Sequence, residues 1–152
     1  MKCNPPRHSS CVGESWHHFT FKVKYCHKIF DMDNIRVATQ QLFAEACDFY
    51  QLQRKSIGFD ADHVHGIVDI GMHARHEVAK KLKGYTAKKL FQQFPWLKKR
   101  YFWGSGLWSP SYYMDAVGKD LDFMERYVQK QKYGIAGIIQ VKLSEFVHAT
   151  SL

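Results

Sequence analysis

No stretch of the chain is apolar over anything near the roughly 20 residues that a membrane-spanning helix requires, which excludes a helical membrane protein. Cysteine is sparse: Cys3, Cys11, Cys26 and Cys47 form no C-x-x-C pair. Cys3, His8 and Cys11 lack a nearby fourth ligand for a zinc knuckle, so free thiols are expected. Four prolines and ten glycines make no low-complexity tract, and no internal repeat recurs. Residues 1–8 have no apolar centre of the kind a secretory signal carries, so a cytoplasmic location is the expectation. Acid is also in deficit. Fourteen Asp and Glu stand against 22 Lys and Arg, a formal charge of +8 on 152 residues. Such an excess speaks of partners, and nucleic-acid phosphates reward it through counterion release.

What is present is a 45% hydrophobic share, evenly spread, enough for the core of one domain. Residues 1–14, with Pro5, Pro6 and Gly13, read as a flexible N-terminal arm. From residue 19 to 25, Phe19, Phe21, Val23 and Tyr25 alternate with Thr20, Lys22 and Lys24, the period of a half-buried strand. Asp33 or Asn34 is placed to cap a helix over 34–51, with Ile35, Ala38, Leu42, Phe43, Ala46 and Phe49 at helical steps. Strands are expected over 52–59 and 63–70, joined by the turn Asp60-Ala61-Asp62. A helix over 75–94 follows, bent at Gly84-Tyr85-Thr86 and ended by Pro95. Residues 96–111 read as an aromatic loop, 112–117 as a fourth strand and 121–132 as an amphipathic helix. The tail 134–152 fits strand or helix equally.

The order β-α-β-β-α-β plus a helix predicts an α+β fold, a ferredoxin-like or RRM-like split βαβ sandwich. Two helices would pack on one face of an antiparallel sheet, leaving the other face free for a site or a partner.

The third strand carries the chemistry. Along His63-Val64-His65-Gly66-Ile67-Val68-Asp69-Ile70 side chains alternate faces. Val64, Val68 and Ile70 point one way; His63, His65 and Asp69 point the other, with Ile67 among them. Both imidazoles then emerge side by side on the open face, able to share a divalent ion. On the last helix, Tyr127 and Gln131 stand four residues apart on one face. Two imidazoles and one amide oxygen would leave a bound metal open positions for a phosphate, and a phenol is a competent nucleophile.

In these residues the chain resembles the single-tyrosine HUH transposases of small bacterial and archaeal insertion sequences, HUH meaning His-hydrophobic-His. The resemblance covers residues 16–133. It is carried by Lys24-Tyr25 with Lys28-Ile29-Phe30, by Asp62-His63-Val64-His65, and by Leu82-Lys83-Gly84. Lys88-Lys89-Leu90-Phe91, Phe94-Pro95, Trp108-Ser109-Pro110-Ser111-Tyr112-Tyr113 and Val117-Gly118 continue it, ending in Tyr127 and Gln131. It implies a domain over 15–133, with 1–14 and 134–152 outside it and the catalytic tyrosine on an added C-terminal helix. Tyr127 would be the nucleophile, and His63, His65 and Gln131 the ligands of Mg2+ or Mn2+. The activity implied is cleavage and rejoining of single-stranded DNA at hairpin-bearing element ends through a 5′-phosphotyrosine. It further implies a homodimer, the tyrosine helix of one subunit completing the histidine pair of the other, with Gly118 allowing the swing.

Lys80, Lys81, Lys83, Lys88, Lys89 and Arg100 are the candidate DNA-backbone contacts. Tyr85, Tyr101, Phe102, Trp103 and Trp108 are candidates for stacking on extruded bases. Rival readings are a domesticated palindrome-processing relative or a replication nickase of the same chemistry. From a different class comes a non-catalytic RRM-like binder, for which an open face of His63, His65 and Asp69 is poorly suited. A zinc hydrolase lacks a nearby carboxylate base.

Overall fold

A computed structural model of the chain describes residues 7–8, 11–117 and 121–130. Gly118, Gln131 and the tail after it lie outside the described residues. Strand β1 (Arg7–His8) pairs antiparallel with β2 (Cys11–Val12), so part of the expected arm forms a hairpin. Then follow β3 (Trp16–Val23), α1 (Asp33–Phe49), β4 (Gln53–Phe59), β5 (His63–Asp69) and α2 (Arg75–Gln93). The single turn α3 (Pro95–Leu97), β6 (Trp108–Ala116) and α4 (Leu121–Lys130) complete the order.

Strands β3 to β6 form one antiparallel sheet in the order β4-β5-β3-β6. The alternation seen in the sequence sorts the two faces. Phe19, Phe21 and Val23 of β3 and Val64 and Val68 of β5 pack on Ile35, Leu42, Phe43 and Ala46 of α1 and on Val78, Leu82 and Leu90 of α2. Each side chain of this size gains roughly 1.5–3 kcal/mol by leaving water. Phe19 faces Gly66 across the β3–β5 pairing, and a Cβ at residue 66 would stand 2.4 Å from the tip of the Phe19 ring. Only glycine lets the ring lie flat over β5.

The opposite face is not free. Helix α4 lies on it, joining Met124, Tyr127 and Val128 to Ile67 and Val117, with Trp16 alongside. Ile67 is the reason: an apolar residue among polar neighbours on that face needs a cover, and the apolar side of α4 supplies it. Lys55 pairs with Glu125 at 3.3 Å, and the Gln129 side chain donates to Ser56 at 3.0 Å.

Three further expectations change. Helix α2 runs unbroken through Gly84, where a Cβ would meet nothing within 4 Å. Asp33 and Asn34 lie inside the first turn of α1 and do not precede it: Asp33 binds Arg36, and Asn34 Oδ1 accepts from the Ile35 N–H at 3.0 Å. Residues 96–111 are not a loop throughout. Pro95 opens α3 as a first-turn proline, a π-helical turn spans Lys98–Phe102, and β6 already begins at Trp108. Pro110 disguised that start, but β6 is an edge strand, where a missing N–H is tolerated.

Candidate active site

Strand β5 sets His63, His65, Ile67 and Asp69 on the α4 face, as the alternation requires. Asp69 is structural: its Oδ1 accepts from the backbone N–H groups of Ser15 (2.8 Å) and Gly71 (2.9 Å). The two imidazole rings lie 4.6 Å apart between centroids. They do not emerge together, however. The His63 side chain keeps 14% of its surface exposed, whereas His65 is fully buried. The His18 ring stacks on His65 and Thr20 is hydrogen-bonded to it.

Each ring is anchored through Nδ1. His63 Nδ1 donates to Asp62 Oδ1 at 2.7 Å, and His65 Nδ1 shares a 2.9 Å hydrogen bond with Thr20 Oγ1. Nε2 is then the remaining nitrogen of each ring. His63 Nε2 stands 3.5 Å from Asp60 Oδ2, and His65 Nε2 has no partner among the described residues. Burial first, then the charges of His63 and His18, holds the His65 pKa well below its ordinary value, so the ring is neutral. Neutral imidazoles with Nδ1 fixed by an outer oxygen are the form that ligates a metal. The donors therefore fit a divalent cation as two of its ligands. Among the described residues no three His, Cys, Asp or Glu side chains converge as a metal-binding group. The expected third ligand, Gln131, lies outside them.

Tyr127 is buried, 7% exposed, in the cluster that holds Ile67. Ile67 and His65 are consecutive residues on the same face of β5, so α4 sets Tyr127 in the cluster of the residue next to His65 on that face. It does so on the sheet of its own chain.

Three residues at this site escaped the sequence reading. His18 of β3 is 2% exposed and stacks on His65, with centroids 5.5 Å apart and planes 8° apart. Neither His18 nitrogen has a partner among the described residues, and burial lowers its pKa to about 4. Tyr113 of β6 meets His18 edge-on at 5.8 Å, and Thr20 orients His65. Counting the β3 alternation back from Phe19 would have placed His18 and Thr20 on the histidine face.

The candidate DNA contacts divide. Lys80, Lys81, Lys88 and Lys89 line a groove of about 950 Å³ with Phe49, Tyr50, Glu77, Gly84 and Tyr85, on the helices α1 and α2. Lys81 lies over the Tyr50 ring and Lys89 over Tyr85. Lys83 stands apart. Its ammonium donates to the Ser109 and Pro110 carbonyls at 2.6 and 3.3 Å, and burial lowers its pKa. Arg100 sits on the turn after α3, over the Tyr101 ring. Of the stacking candidates, Phe102 and Trp108 are buried in the core, whereas Trp103 is 87% exposed.

Comparison with known proteins bears on the family and the fold. The family model described as IS200-like transposase matches residues 11–131. The ISDra2 transposase TnpA of Deinococcus radiodurans is 26% identical over 117 residues, covering 76% of this chain and 82% of that protein. The transposase for insertion sequence element IS200 of Salmonella typhimurium is 27% identical over 116 residues, covering 76% of this chain and 75% of its own. Among solved structures, a candidate transposase from Deinococcus radiodurans R1 superposes with a TM-score of 0.67 at 24% identity, covering 85% of this chain and 99% of that one. A REP-associated tyrosine transposase bound to a REP hairpin gives 0.54 at 13% identity, covering 81% and 69%. The last two likenesses bear on the fold alone. With that family model matched over most of the chain, this protein belongs to the IS200-like transposase family.

Proposed function

We propose that the protein cleaves and rejoins single-stranded DNA at hairpin-bearing ends, with Tyr127 as nucleophile. The observation that carries this reading is the meeting of α4 with β5, where Tyr127 packs on Ile67 beside the anchored pair His63 and His65. The element order and the sheet order β4-β5-β3-β6 support the split βαβ plan with an added tyrosine helix. Tyr127 attacks a backbone phosphorus, forming a 5′-phosphotyrosine and releasing a 3′-OH. A later attack by a 3′-OH on that linkage reseals the strand and frees the tyrosine, so no outside energy is used.

A free phenol near pKa 10 is about one part in a thousand ionised at neutral pH, a deficit of roughly 4 kcal/mol. Mg2+ or Mn2+, held by His63, His65 and Gln131, would supply a Lewis acid that polarises the phosphate. Asp62 and Thr20 keep the two imidazoles oriented through Nδ1. The basic groove of Lys80, Lys81, Lys88 and Lys89 suits the phosphates of a duplex stem, with affinity falling steeply as salt rises. The protein is a homodimer in this reading, and α4 acts either on its own sheet or on its partner's.

The test is a covalent adduct. Incubated with a hairpin oligonucleotide and Mn2+, the protein should gain the mass of a DNA fragment at Tyr127. Tyr127→Phe should bind the hairpin and form no adduct. An adduct formed by the Phe variant would remove Tyr127 from the role. A mixed dimer of Tyr127→Phe and His63→Ala subunits should regain cleavage if α4 works across the dimer.

A further inference from the structure

The turn after β3 and the turn after α3 meet beside His63, and together they hold the most exposed rings near the site. The link to the histidine is direct. Val23 N–H donates to the Asp62 carbonyl at 2.8 Å, and Lys22 is the register partner of His63. Next along the chain, Lys24 N–H donates to the Leu107 carbonyl, also at 2.8 Å, tying the two turns together. His27 bridges them: its ring lies 5.9 Å from Tyr25, 5.3 Å from Tyr101 and 5.5 Å from the buried Phe102. Trp103 follows Phe102.

Two of these aromatics are held in a backbone conformation they disfavour. Tyr25 has φ of 63° and Trp103 of 45°, the left-handed region, which costs a bulky residue several-fold in population. Both point outward regardless, Tyr25 62% and Trp103 87% exposed. Packing does not explain rings that the fold leaves in water. Cations crowd these rings, while the nearest carboxylates, Asp60 and Asp62, are turned to His63. Lys24 lies over the Tyr25 ring and Arg100 over Tyr101, each at 5.5 Å, with Lys28, Lys98 and Lys99 exposed nearby. Neither residues 16–30 nor residues 96–114 contain an acid. Flat exposed rings interleaved with cations match unpaired nucleotides, whose bases stack while their phosphates are neutralised. Within a duplex stem every base is already stacked on both faces.

We propose that Trp103 and Tyr25, flanked by Lys24 and Arg100, form a stacking shelf for the unpaired nucleotides that adjoin the cleaved linkage. This rests on the reading of the protein as a single-stranded DNA transposase, and it adds a second contact, separate from the lysine groove on α1 and α2. The groove takes the stem; the shelf takes the flank.

The test compares wild type with Trp103→Gly, which removes the ring and relieves the left-handed backbone, so thermal stability should hold or rise. Three probes are used: a blunt hairpin oligonucleotide, the same hairpin with a short single-stranded flank, and a thymidine dodecamer. Wild-type tryptophan fluorescence should be quenched by the flanked hairpin and the dodecamer. Trp103→Gly should lose about tenfold in affinity for both, and bind the blunt hairpin as wild type does. Trp103→Phe should recover most of the loss, and an abasic dodecamer should bind wild type as weakly as thymidine binds Trp103→Gly. If Trp103→Gly binds all three probes like wild type, or loses equally on all three, the shelf is overturned and the hairpin reading stands. If wild type ignores both hairpins yet binds the dodecamer through Trp103, the shelf stands and the hairpin reading falls. Failure of wild type to bind any probe overturns both.

Discussion

On the α1–α2 face of the sheet, Phe19, Phe21, Val64 and Val68 join one apolar core, and the threonines buried there are satisfied. Thr39 and Thr86 donate to the carbonyls of Ile35 and Leu82, one turn back on their helices, at 2.7 Å. On the α4 face, His18, His65 and Asp69 are buried at 3% exposure or less, and four of their polar atoms lack partners among the described residues. A buried unsatisfied group costs about 1–3 kcal/mol. One face is thus shaped by folding alone, while the other tolerates a cost that folding does not recover. Departures of this kind from folding economy gather at functional sites.

This contrast can be broken by measurement. The largest effect belongs to the apolar face: Phe43→Ala should lower stability by about 3–5 kcal/mol in urea unfolding, leaving a cavity among Phe19, Phe21 and Trp108. A loss below about 1 kcal/mol would mean that this face is loosely packed. Next comes acid. The folded His18 pKa lies near 4 against an ordinary 6.5, so its contribution is whole above 6.5 and disappears as pH falls toward 4. For the metal-free protein the loss is on the order of 3 kcal/mol, and a flat urea midpoint across that window would contradict the burial of this ring. Gly66→Ala should cost about 1–3 kcal/mol, because the methyl meets a Phe19 ring confined by Phe21 and Phe43. Smallest, and of opposite sign, is His18→Phe. Removing two unpartnered nitrogens while keeping a flat ring should raise stability by about 1 kcal/mol and shrink the acid response to the part that buried His65 carries. A destabilised Phe variant would show that those nitrogens are served within the fold.

The sequence displayed these faces unequally. Strict alternation in β3 and β5 made the core face and the two histidines plain, because a period of two leaves no choice of side. It could not tell where α4 would lie. An apolar stripe such as Met124 and Val128 fits its own sheet or a partner's equally well, and only Ile67 hinted that the histidine face needed covering. The burial of His65 involves a ring from the neighbouring strand, which the sequence of β5 alone does not show. His18 was missed because His17 and His18 precede the clear alternation, and a stacked pair from two strands depends on register. The start of β6 was masked by Pro110, and the split of the lysines by Lys83, whose ammonium turns to the Ser109 and Pro110 carbonyls.

The indole N–H of Trp108 donates to Thr86 Oγ1 at 3.0 Å, buried where α2 crosses β6. That bond makes a natural clock of the domain: its proton is shielded from deuterium until helix and strand part. Trp103, nearly bare to solvent, exchanges its own proton at once. Two indoles five positions apart in the chain thus mark the slow and fast limits of the same molecule's breathing.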